Sequence, residues 1–139
     1  GHIYATEIAR GLDVFSLEAS DYLSESEIAA ASLQDANVTV NAQTQERVTW
    51  PAVPVVARAY IDQLQRDQDD DTLQLQSLRR LLDQAESLID DLNSDSGVAN
   101  ELDGFANSMQ AQSSLTMGLE RNSYTSLAST LRGIAEKLR

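Results

Sequence analysis

With 139 residues, 42% of them hydrophobic, the chain has enough apolar material for one compact domain, and 5% aromatics make that core mainly aliphatic. Against 10 Lys and Arg stand 22 Asp and Glu, and the formal net charge of −12 repels phosphate backbones, which argues against nucleic-acid binding. There is no Cys, hence neither a disulfide nor a thiolate metal site, and no apolar run reaches the ~18 residues of a membrane span.

Lys137 is the only lysine, so the acidic surface leans on arginine for its cations. Such a surface fits a habit of the source genome or a salty habitat, and it also fits a basic partner. No signal peptide is visible. Gly1-His2 reads as a tag remnant, which would place the natural start, with any leader or anchor, upstream.

The first element begins near Ala5. Ile8, Leu12, Phe15, Ala19 and Tyr22 alternate steps of four and three, which predicts an amphipathic helix. Gly11 would weaken that helix by about 1 kcal/mol relative to Ala without breaking it. At Ser24 the spacing S-x-x-E, closed by Glu27, reads as a capping box that starts a second piece from Ile28 to Leu33. One continuous, kinked helix ending near residues 35–37 is the simplest reading.

Residues 38–53 break the periodicity. The triplets Val38-Thr39-Val40 and Val48-Thr49-Trp50 are β-branched or aromatic, so a short β-hairpin or an extended crossover is expected there. Pro51 and Pro54 bias Trp50 and Val53 away from the helical region, and a helix should start at or just after Pro54. It carries Val56, Ala59, Tyr60 and Leu64 on one side. A run of aspartates at 67–71 then suits a turn and a helix N-terminus, with a new helix from about Thr72. The competing reading is a single rod over 54–92.

Residues 72–92 hold the strongest pattern in the chain. Leu78, Leu81, Ala85, Leu88 and Leu92 lie on one side, and Leu73, Leu75, Leu82 and Ile89 widen the stripe. The turn formers at 93–97 follow. Beyond them Leu102, Phe105 or Ala106, and Met109 begin one stripe, while Tyr124, Leu127, Leu131, Ile134 and Leu138 form another. The two do not share a register, so a kink or change of face is expected near 113–118. The predicted fold class is all-α: an antiparallel four-helix bundle in a single domain, with the long crossover at 38–53. The last helix shows no stop signal before Arg139, so the natural chain is expected to continue.

The reactive inventory is thin. His2 is the only histidine, which removes a Ser-His-Asp relay, an H-E-x-x-H zinc site and the Glu-x-x-His pairs of two-metal bundles. No cofactor and no metal are expected, and the chain reads as non-enzymatic, with carboxylates, Tyr and Ser as its only chemistry. Asp67, Asp69 and Asp71 match the first ligands of a calcium loop, but Thr72 and Leu78 stand where Gly and Glu are required. Asn37-Val38-Thr39 fits a glycosylation sequon of low specificity. The one grouping that draws notice is Arg47, Trp50 and Arg58: a lone Trp beside two prolines, flanked by two of the few cations, suits a ligand or partner side chain. Equally, Trp50 would cap one end of a bundle while the arginines pair with nearby acids.

Three functions are compatible with this reading. The first is a sensing or ligand-responsive module, the periplasmic part of a membrane-anchored receptor, touching membrane only through flanking segments outside this chain. The second is a soluble acidic adaptor or chaperone-like protein that binds a partner helix. An enzyme is the third and least supported. A homodimer is compatible with a stripe wider than one bundle needs.

Overall fold

The computed structural model describes residues 2–9, 11–33, 43, 49–68 and 73–139. The protein is mostly helical, 66% of the described residues lying in helices, with a small antiparallel sheet of two strands among them. Among the described residues the order is β1 (His2–Glu7), β2 (Gly11–Ser16), α1 (Glu25–Ala31), α2 (Pro54–Gln68), α3 (Leu73–Asp90), α4 (Ser96–Ser113) and α5 (Gly118–Lys137).

The N-terminal segment is a hairpin, not the helix expected from the spacing of Ile8, Leu12 and Phe15. Ile3 faces Phe15, Tyr4 faces Val14 and Thr6 faces Leu12. These β-branched and aromatic residues fit a pleated surface better than a helix. Gly11 decides the outcome, because its φ of 93° lies in the left-handed region that a side chain rarely enters. A glycine there closes a three-residue turn from Glu7 to Gly11, and the residue that merely weakened the expected helix instead directs a reversal.

Helix α1 starts as its sequence predicts. The Ser24 hydroxyl accepts from the Glu27 amide at 3.1 Å, and the Glu27 carboxylate accepts from the Ser24 amide at 2.7 Å, completing the capping box. Ala30 packs against Val56 and Ala59, so α1 lies along the outer side of α2. The expected crossover hairpin falls mostly on residues outside those described; residues 49–53 are irregular, and α2 begins at Pro54 as expected.

Helices α2 and α3 run antiparallel, since Arg58 reaches Asp83 and Glu86 while Arg79 reaches Asp62. That folding-back rules out one rod over 54–92. Helix α4 is N-capped by Asp95, whose carboxylate accepts from the amides of Gly97 at 2.8 Å and Val98 at 3.1 Å. The kink expected near 113–118 is a complete reversal, and α5 returns along α4 with Arg132 on Asn107 and Arg139 on Asp103. Gly118, at φ 67°, makes the turn into α5.

The core lies where the stripes of α2, α3, α4 and α5 meet. Leu78, Leu82, Leu102, Leu127, Leu131 and Ile134 are fully buried there. Each such side chain stabilises the fold by about 2 kcal/mol through removal from water. The stripe of α3 is narrower than expected. Leu73 is exposed at its start, and Leu92 lies beyond its end at φ 55°, where the Asn93 amide bonds the Leu88 carbonyl at 2.8 Å and the Leu92 amide bonds Ile89 at 3.1 Å. This is a Schellman stop with leucine in the position glycine usually fills.

Candidate functional site

The site is built around residues 49–53, which precede α2. Pro51 and Pro54 deny helical geometry to the residues before them, so this stretch lies across the bundle instead of extending α2. Two contacts hold it to α5: the Lys137 ammonium donates to the Ala52 carbonyl at 2.6 Å, and Ala52 sits directly on Gly133. A Cβ at Gly133 would fall 2.5 Å from the Ala52 Cβ, a distance no real contact tolerates. The glycine is what lets the segment approach so closely.

So anchored, Trp50 remains 39% exposed and overlooks a cleft formed by α1, α2 and α5. Three adjoining hollows make up this cleft, and Tyr60 lines all of them. The first, of about 90 Å³, places Trp50 and Tyr60 beside Ala30, Val56 and Ala59. The second, about 370 Å³, adds Thr49, Ser126, Ser129 and Thr130. A third of about 310 Å³ extends past Gln63 and Arg66 to Asn122 and Ser123. The lining combines aromatic faces with hydroxyl and amide groups, the mixture that orients a small ligand on an apolar floor.

The charged groups at the cleft are already paired. Glu27 is drawn inward by its capping role, and that burial alone would raise its pKa. Hydrogen bonds from the Ser24 amide, Arg66 and Gln63 outweigh the burial and hold it below the ordinary carboxylate value. The Ser24 hydroxyl in turn donates to Asp62, which accepts from Arg79, and Arg79 also donates to Gln65. This network locks α1, α2 and α3 together behind the cleft.

The sequence-level grouping is not assembled as one site. Arg47 lies outside the described residues. Arg58, two positions before Tyr60, is on a different side of α2 and donates to Asp83 and Glu86, each at 2.7 Å. Burial of the guanidinium opposes its charge, but the two carboxylates outweigh that and raise its pKa further. Trp50 belongs to the cleft, and its neighbours there, Tyr60, Gln63 and Ser126, were not singled out from the sequence. A signal existed: Ser123, Ser126 and Ser129 recur at three-residue spacing on α5, which puts hydroxyls along one side of a helix.

Among the described residues no group of three or more His, Asp or Glu is placed to hold a metal ion, and Asp69 and Asp71 of the aspartate run lie outside them. No helix among them is long and apolar enough to cross a membrane. Comparison of the chain with family models, curated proteins and solved structures finds no match.

Proposed function

We propose that the chain is a non-catalytic, ligand-responsive sensing module. In this reading α2–α5 act as an antiparallel four-helix bundle, and the whole is the periplasmic part of a larger membrane-anchored receptor. The observation that carries the reading is the cleft shared by Trp50 and Tyr60, because one of its walls is the segment tethered to α5 through Ala52. A ligand filling the cleft would press on Trp50, and through Ala52 on Gly133 and Lys137. Its effect equals the difference in its affinity for the two positions of that segment. Arg58, braced against Asp83 and Glu86, would fix the wall behind Tyr60.

Trp50 is the only tryptophan, so its emission reports on this cleft alone. Titration with amino acids, dicarboxylates, neutral saccharides and short quaternary amines at millimolar concentration should yield one class that shifts the emission and raises Tm. If no class does either, the ligand reading fails. For the receptor placement, the parent reading frame should encode apolar spans of ~20 residues flanking this domain. A frame lacking them overturns it.

A soluble adaptor that binds a partner helix is the second reading. It is favoured by exposed apolar side chains, Leu73 at the start of α3 and Leu115, Met117 and Leu119 where α4 turns into α5. Under it, capture of a basic client should weaken as salt rises and be lost when Leu115 and Leu119 become Ser.

A further inference from the structure

We propose that the first hollow of the cleft binds a quaternary ammonium head, with Trp50 and Tyr60 as its aromatic walls and Ala30, Val56 and Ala59 receiving its methyl groups. The inference rests on the ligand reading above and narrows it to one chemical class.

The class follows from what the lining can satisfy. Apart from the two aromatic residues, the polar groups lining this hollow among the described residues are the Glu27 carboxylate and the Gln63 amide; the remaining walls are alanine and valine. An anion is opposed by Glu27 and by the net charge of −12. A saccharide would set hydroxyls against Ala30, Val56 and Ala59, where they find no partner. A primary ammonium brings three N–H donors that each need an acceptor, and Glu27 already accepts from the Ser24 amide, Arg66 and Gln63. A quaternary ammonium carries its charge with no N–H to satisfy. Its methyl groups suit the apolar walls, while the aromatic rings and the carboxylate meet the charge.

Size and local charge agree. An apolar cavity of roughly 150 Å³ takes a benzene ring, so a hollow of about 90 Å³ suits a head of about five heavy atoms. It adjoins the hollow of about 370 Å³, where Ser126 and Ser129 offer hydroxyls to a polar tail. Among the described residues no cationic side chain lines either hollow: Arg66 lines the third, and Lys137 donates to the Ala52 carbonyl. Arg66 shares the Glu27 charge, so the aromatic rings supply the larger part of the attraction.

Choline and its uncharged isostere, with carbon in place of the nitrogen, test this on the full chain, because the two share a shape and differ in charge. By calorimetry choline and tetramethylammonium should bind at one site, and the isostere roughly ten-fold more weakly. Trp50→Leu, at a residue 39% exposed, should keep the helical circular dichroism of wild type and lower choline affinity roughly ten-fold. Y60L should act alike, and W50F should recover part of the loss. Sodium chloride should weaken choline binding, the sign for a cation drawn to a chain at −12. Equal binding of choline and its isostere, or a W50L variant that binds choline like wild type, would overturn the proposal. So would a saccharide or dicarboxylate that shifts the Trp50 emission where no quaternary amine does, and that result would leave the ligand-responsive reading standing. If no class binds, both fall.

Discussion

Gly133→Ala tests how Trp50 is held. In an exposed helix interior this change gains about 1 kcal/mol from backbone propensity. At Gly104, in α4, nothing lies within 4 Å of the added Cβ, so Gly104→Ala should realise that gain and raise Tm by about 3 °C. At Gly133 the new methyl would meet the Ala52 Cβ at 2.5 Å, more than 1 Å inside ordinary contact. Overpacking of that kind costs about 1–3 kcal/mol when the neighbour cannot yield. Ala52 is on an irregular segment and will yield by lifting off α5, which breaks the Lys137 hydrogen bond and its contribution of about 1 kcal/mol. Gain and loss nearly cancel, so G133A should leave Tm close to that of wild type, short of the gain shown by G104A. Its signature is optical: Trp50 becomes wetter and its emission shifts to the red. Thermal denaturation and fluorescence of the two variants decide the matter. If G133A gains as much Tm as G104A and keeps the wild-type emission, the docking of residues 49–53 on α5 is wrong, and the proposed route from cleft to helix goes with it.

Leu92→Gly should stabilise the protein by up to about 1 kcal/mol, because Leu92 is 93% exposed, loses almost no packing and is relieved of its left-handed φ; equilibrium denaturation in urea checks this. Leu131→Ala, at a site with no exposure, should cost about 2–5 kcal/mol and lower Tm by at least about 6 °C. Glu27 has a folded pKa below its ordinary value, so its contribution is full above that ordinary value and is lost as pH falls through the depressed one. Glu27→Gln should therefore flatten the acid limb of a stability–pH curve without altering its neutral-pH slope, and an unchanged acid limb would contradict the pairing with Ser24 and Arg66.

The sequence exposed those parts of the fold that depend on one residue per helical turn. Leu78, Leu81 and Ala85 on α3, and Leu127, Leu131 and Ile134 on α5, are buried as their spacing requires, and Ser24 with Glu27 starts α1 as the capping box predicts. The failures share one cause, a local pattern consistent with two geometries. Apolar residues from Ile3 to Phe15 satisfy both helical and alternating periods, and the turn at Gly11 decides between them only when its φ is known. Leu92 continued a helical stripe in sequence but took a stop position usually given to glycine. Near residue 118 a change of register marked the break correctly, while its angle, a full reversal, was set by how α4 and α5 pack. The cleft was the least legible feature: Trp50 stood out as a lone aromatic, but Tyr60 and Ser126 join it only through packing between helices that are distant in sequence.

One hydrogen bond at the end of the bundle separates its two poles. The Asp95 amide donates to the Leu138 carbonyl at 2.9 Å, so the entrance of α4 is tied to the exit of α5 at the same pole where Lys137 grips Ala52. At the opposite pole α5 starts from Met117, which gives no side-chain cap, between the exposed Leu115 and Leu119. Fraying should be directional, with amides of the first turn of α5 exchanging with solvent well before those around Ile134, and the molecule opening from the uncapped pole like a hinge whose pin is Leu138.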